Sequence, residues 1–201
     1  MSEAATLLLV RHAAHVELGR VLSGRRSDVA LAPAGLEQAA ILADLLGTAP
    51  LAAVYTSPRE RAWYTAREIA EPHELPVTVD EGLDEVDFGD WSGMRFADLA
   101  PDPDWQAWNA RRGTAATPGG ETMAEAVARA VAATGRIAGA HPGATVLAVS
   151  HCDIIRGIIA HHLGLALDNL LRFDVDPASV SRLALGPGEA RIVSINERLY
   201  Q

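Results

Sequence analysis

Apolar positions along the chain alternate between two patterns. Short unbroken aliphatic runs occur at Thr6–Val10 (TLLLV), Leu51–Thr56 (LAAVYT) and Ala144–Val149 (ATVLAV). Each is too short for a helix and reads as a strand buried on both faces of a parallel sheet. Between them the apolar residues recur three and four apart. Leu36, Ala39, Ala40, Ala43 and Leu46 predict a helix over Pro33–Leu46, with proline in its first turn and Gly47 at its stop. Ala62, Ala66, Ile69 and Ala70 predict a second over Pro58–Ala70.

Further along, Pro76–Val79 reads as a short strand and Asp80–Gly93 as an irregular, acidic, glycine-punctuated segment. Phe96–Arg112 reads as one helix with Trp105 and Trp108 on the same face. A long alanine-rich helix runs to about Ala140, and another follows His151 to about Leu163. Leu171–Val175, Val180–Leu185 and Arg191–Ile195 read as three closing strands joined by PAS and GPGE turns. Strands alternating with helices predict an α/β fold, a three-layer α/β/α sandwich on a mainly parallel sheet. No repeat or linker divides the chain, so the expectation is one domain over residues 1–201, with a small helical lid at about 95–120.

Composition removes several classes of function. The 201 residues carry a net charge of -9, which argues against a general nucleic-acid binder. All 17 basic residues are arginine, so chemistry needing a lysine amine, such as the P-loop lysine or a Schiff base, is excluded. The single cysteine, Cys152, cannot form an internal disulfide, and no apolar run is long enough to span a membrane. With no leader pattern at the first residues, a cytoplasmic protein without membrane partners is expected.

Two of the aliphatic runs end in histidine, at Val10-Arg-His12 and Val149-Ser-His151. Strand ends lie side by side in a sheet, so His12 and His151 are expected to meet where open α/β sheets bind ligands. A third run ends in TSPRERA, which places Arg61 in the first turn of a helix. Arg11, Arg61 and two imidazoles at one sheet edge make a socket for a tetrahedral dianion, because planar guanidinium forks match phosphate oxygens. A small phosphorylated substrate is the natural guest.

The motifs LLVRH (8–12), Gly24–Leu31 followed by LAPAGLEQA, SPRERAWYTA (57–66), LDEVDFGDWSG (83–93), PGGET (118–122) and VSHCDIIR (149–156) run in one order over nearly the whole chain. In that order they resemble the histidine phosphatase superfamily, with its phosphoglycerate mutase-like fold. The resemblance implies that His12 is the nucleophile taking the phosphoryl group, that Arg11, Arg61 and His151 hold its nonbridging oxygens, and that Glu85 is the general acid and base. It implies no metal and no cofactor, and it suggests a homodimer. The chemistry asks for the same groups. His12 must be neutral to offer a lone pair, with a carbonyl accepting from its other ring nitrogen. Glu85 must have a pKa raised toward neutrality, by repulsion from Asp84, Asp87 and Asp90 or by burial beside Phe88 and Trp91. His151, if protonated, adds a third cationic donor.

The chain departs from the family at three places after the nucleophile. Ala13 replaces a glycine, His15 stands where a small hydroxyl residue is usual, and Leu18 replaces an asparagine. His15 and Arg20 are therefore candidate substrate-binding residues, and Arg25 and Arg26 either read a second anionic group or form a solvated basic loop. A phosphatase is favoured over a mutase, because only about 30 residues, Arg95 to Gly120, are available to cover the site. Two other readings remain open at this point: a noncatalytic binder of phosphorylated ligands, and a metallohydrolase built on His12, His15, His151, Asp153 and Asp87. His161, His162, Trp105, Trp108, Cys152 and Arg156 read as structural.

Overall fold

The computed structural model describes residues 3–198. Strand β1 (Ala5–Arg11) sends Leu7 and Leu9 to one face of the sheet and Leu8 and Val10 to the other, and all four are buried. The two faces support two apolar clusters. On one side Leu8 and Val10 pack with Leu147, Val149 and Val54 against helices α1 (Pro33–Leu46) and α2 (Glu60–Ala70). On the other, Leu7 and Leu9 pack with Val146 and Ala148 against α5 (Met123–Ala140) and α6 (Cys152–Leu163). Between α2 and α5 the chain also forms the short helices α3 (Phe96–Leu99) and α4 (Pro103–Ala110).

The sheet has six strands in the order β3-β2-β4-β1-β5-β6, with β2 Leu51–Thr56, β3 Val77–Val79, β4 Thr145–Ser150, β5 Val180–Gly186 and β6 Glu189–Glu197. Strands β3, β2, β4 and β1 are parallel, and β5 and β6 close the sheet antiparallel. This is the mixed α/β architecture expected from the pattern. The register pairs Val10 with Val149 and Arg11 with Ser150, and the His12 amide donates to the Ser150 carbonyl at 3.0 Å. Two strands therefore deliver their next residues, His12 and His151, at one height on the carboxyl edge. No helix among the described residues is long and apolar enough to cross a membrane. The expected extent of one unit over 1–201 includes residues 1–2 and 199–201, which lie outside the described residues.

Three local expectations are corrected. The segment Phe96–Arg112 is two short helices, because Pro101 and Pro103 cannot continue a helix and Asp102 caps α4 by accepting from the amides of Asp104 and Trp105. Leu171–Val175 is not a strand: Leu167–Arg172 is a 3-10 turn. The carbonyls of Phe173 and Val175 accept from the side chains of Arg156 and Arg11 instead of a strand ladder. In α1 the buried face is Gly35, Ala39, Leu42, Ala43 and Leu46, whereas Leu36 and Ala40 face solvent. Gly35 explains the rotation. A Cβ there would lie 1.9 Å from the Ala14 carbonyl, so the helix presses this position onto the loop after β1.

Candidate active site

A cleft of about 370 Å³ opens at the carboxyl edge of the sheet between the loop after β1, the acidic segment around Glu85, helices α3 and α4, and the start of α6. Arg11, His12, Arg61 and Glu85 line it, and the rings of His12 and His151 stand 5.2 Å apart, centroid to centroid. Leu18, Val21, Phe96 and Trp105 add apolar surface to its lining, beside the polar Asn109, Arg112, Asp153 and Arg156.

The ring of His12 is fixed by its own backbone neighbourhood. Nδ1 is 2.9 Å from the Ala13 carbonyl and can only donate to it, so the lone pair lies on Nε2. Nε2 faces the guanidinium of Arg61, whose Nε is 3.4 Å away. Burial, then Arg61 and Arg11, hold the His12 pKa well below 6.5, so the imidazole is neutral. Ala13 stands where the family has glycine without cost: it does not adopt a positive φ, is fully buried, and its amide donates to Thr65 Oγ1 at 3.0 Å.

Arg61 is buried at the start of α2, with 2% of its surface exposed, and spans both imidazoles. Its Nη2 is 3.3 Å from His151 Nδ1 and donates to the Gly24 carbonyl at 2.7 Å. His151 immediately precedes the first turn of α6. Whether His151 carries a charge is set by its surroundings. Burial, then Arg61 and His12, hold its pKa well below 6.5. Nδ1 accepts from Arg61, leaving Nε2–H to donate to Ser57 Oγ at 2.7 Å, and Ser57 in turn donates to Asp84 Oδ1 at 3.3 Å. Nothing in the apolar pattern marks Ser57. Its signals are its place at the head of the SPRERAWYTA motif and its position directly after β2.

Glu85 sits opposite, its Oε2 3.7 Å from His151 Nδ1. Its pKa is pushed up to about 7, chiefly by burial and next by the charge of Asp153, against the pull of Arg61. Of the acids expected to act on it, Asp84 contributes a smaller repulsion. Asp87 is drawn off by Arg25 at 3.6 Å. The loop bearing Glu85 is held by a charge network that the sequence did not reveal. Arg25 Nε and Arg129 Nη2 both donate to the Glu85 carbonyl, at 2.8 and 2.7 Å. Glu121 Oε1 binds both guanidinium groups and the Asp87 amide, at 2.8, 2.7 and 2.9 Å. Glu121 is thus a hub for the acidic loop. The start of α5 is capped by Thr122 and Glu125, which form a capping box. Gly89 (φ 53) makes this packing possible, because a Cβ there would lie 2.0 Å from the Pro118 carbonyl.

The other candidates separate cleanly. His15 is 8% exposed and lines the cleft, 5.3 Å from the His12 ring. Arg20 is exposed, does not line the cleft, and donates to the Val16 carbonyl, so the structure does not bring it to the site. Arg25 and Arg26 are neither free nor loosely solvated: Arg25 joins the acidic network and Arg26 pairs with Glu17 at 2.8 Å and with Asp28 at 3.2 Å. Cys152 lines the cleft as a thiol, its pKa pushed up to about 11 by burial. At the outer cleft Arg112, beyond α4, binds Asp153 at 2.6 Å and ties the α3–α4 segment to α6. Burial works to raise the Asp153 pKa, and Arg112 outweighs it, so the carboxylate stays ionised. Among the described residues no group of three or more histidine, cysteine, aspartate or glutamate side chains is placed to hold a metal ion. The donors considered for one are engaged elsewhere, Asp87 with Arg25 and Asp153 with Arg112.

A neutral imidazole lone pair facing a buried guanidinium and a carboxyl whose pKa is pushed up to about 7 thus stand together at the carboxyl edge of the sheet. Residues 7–198 match the model of the histidine phosphatase superfamily (branch 1), and the chain belongs to that family. It is 36% identical over 179 residues to a bifunctional protein of Mycobacterium tuberculosis, covering 87% of this chain and 49% of that protein. The chain thus spans about half the length of the mycobacterial relatives it matches. It is 31% identical over 194 residues to phosphoserine phosphatase 1 of Hydrogenobacter thermophilus, covering 94% of this chain and 91% of the relative. Among solved structures, the native mycobacterial glucosyl-3-phosphoglycerate phosphatase superposes with a TM-score of 0.87 at 26% identity, covering 98% of this chain and all of that one. The last two are, by name, phosphatases of phosphoserine and of glucosyl-3-phosphoglycerate.

Proposed function

We propose that this chain hydrolyses small phosphomonoesters through a phosphohistidine on His12. The observation that carries the reading is the Nδ1–H bond to the Ala13 carbonyl, which leaves Nε2 unprotonated beside Arg61. Arg11 and Arg61 meet the nonbridging oxygens, and the bound dianion draws a proton from solvent onto Nδ1 of His151, which donates to a third oxygen and gives that proton back to solvent when phosphate leaves. Nε2 of His12 attacks phosphorus as the bond to the leaving oxygen breaks, and Glu85 delivers its proton to that oxygen. In the second half the Glu85 carboxylate takes a proton from water, whose oxygen attacks phosphorus and breaks the bond to Nε2. Phosphate leaves, and both groups return to their starting states. The sequence needs no metal ion, because arginine charge and a positioned acid do the work.

The test is intact-protein mass after brief incubation with a panel of phosphomonoesters, for wild type and His12→Ala, with and without chelator. An acid-labile gain of one phosphoryl group in wild type alone, indifferent to chelator, is expected. Phosphate release that vanishes with chelator, or that persists in His12→Ala, would overturn the reading.

A further inference from the structure

The loop after β1 is bound more tightly than a solvent loop requires, and His15 is what that binding positions. His15 forms an isolated antiparallel bridge with Leu31, and the Val16 amide donates to the Ala30 carbonyl at 3.1 Å. The Leu18 amide donates to the His15 carbonyl at 3.1 Å, closing a turn immediately beyond it. Glu17 is anchored from two sides, by Ser23 Oγ at 2.7 Å and Arg26 Nη1 at 2.8 Å. The Glu17 amide donates to His15 Nδ1 at 3.3 Å. A ring whose Nδ1 accepts carries its proton on Nε2.

We infer that His15 is a third imidazole of the phosphoryl site, donating Nε2–H to a nonbridging oxygen of the group bound over His12. The inference rests on the phosphatase reading above and adds to it a residue specific to this chain's departure from the family pattern. Burial, then Arg61 and Arg11, hold the free His15 near a pKa of about 4, with Glu17 pulling the other way. His15 therefore acts as a neutral donor. It also explains why a loop lacking the family's hydroxyl and asparagine keeps an intact socket: the imidazole places an N–H where a short hydroxyl would place an O–H. A neutral donor suits a socket already carrying two guanidinium groups, because it adds a hydrogen bond without adding repulsion.

The experiment is calorimetric titration with inorganic phosphate of wild type, His15→Ala and His15→Gln, together with ¹⁵N imidazole spectra of the wild type with and without phosphate. His15→Ala is expected to bind phosphate about tenfold more weakly, and His15→Gln, whose amide nitrogen reaches the Nε2 position, to recover most of the loss. In the spectra His15 is expected as the Nε2–H tautomer, with that proton shifting when phosphate binds. Equal affinity in wild type and His15→Ala, or an Nδ1–H tautomer, would overturn the inference and leave the phosphatase reading standing. A wild-type protein that binds no phosphate at millimolar concentration, and forms no phosphoryl adduct, would overturn both.

Discussion

Ser57 Oγ lies 2.7 Å from Nε2 of His151, and this contact decides which of the histidine's nitrogens carries the proton. Ser57 Oγ accepts from the imidazole Nε2–H and donates to Asp84 Oδ1, so Nδ1 is left to the Arg61 side of the site. Ser57→Ala should leave Nε2–H without a partner and let the ring turn. A fall in kcat/KM of about tenfold, with about 1–2 kcal/mol lost in urea unfolding, is expected. Unchanged kinetics in a folded variant would show that the ring is oriented by Arg61 alone.

Activity should decline with rising pH as Glu85 loses the proton that it must give to the leaving oxygen, so the alkaline limb of kcat/KM is expected near pH 7. The same group has a signed effect on stability. Its native pKa is raised from 4.5 to about 7, so the folded chain binds more protons than the unfolded one across that interval. Stability from this group is therefore present below pH 4.5 and lost as pH rises through 7. Glu85→Gln should be inactive yet more stable than wild type at pH 8, by roughly 2–3 kcal/mol, with the difference disappearing under acid conditions. Urea midpoints at the two pH values check the sign.

Glu121 should prove to be a positioning residue. It touches no part of the cleft floor, but it holds the two arginines that grip the Glu85 carbonyl. Glu121→Gln keeps the shape and loses the charge. Steady-state kinetics should show kcat reduced about tenfold with KM nearly unchanged, since a displaced acid affects the reaction more than phosphate binding. An increase confined to KM would contradict this role.

The Arg112–Asp153 pair is buried, so breaking one side leaves an unpaired charge. Asp153→Ala should destabilise the fold by about 3–5 kcal/mol, while replacing both partners with apolar residues of similar size should restore much of the loss. Thermal unfolding of the single and double variants tests this. If the two losses simply add, the pair is not coupled.

Much of the site was legible because it sits at the ends of strands. Thr6–Val10 and Ala144–Val149 are apolar on both faces, which specifies central parallel strands, and a strand's end fixes where the next residue stands. His12, His151, Arg61 and Glu85 followed from that logic and from the motif order. Leu171–Val175 misled for the same local reason, since its apolar residues also suit a 3-10 turn whose carbonyls are claimed by distant arginines.

The sequence by itself determined the α/β layering and the strand ends, because these depend on periodicity and on residues adjacent in the chain. Only the tertiary structure decided that Ser57 orients His151, that Glu121 organises the acidic loop, that Asp153 bears on Glu85, and that His15 enters the cleft while Arg20 does not. Each of those contacts joins residues through a particular side-chain direction, often across tens of positions. Direction is set by packing, and packing leaves no period in the sequence.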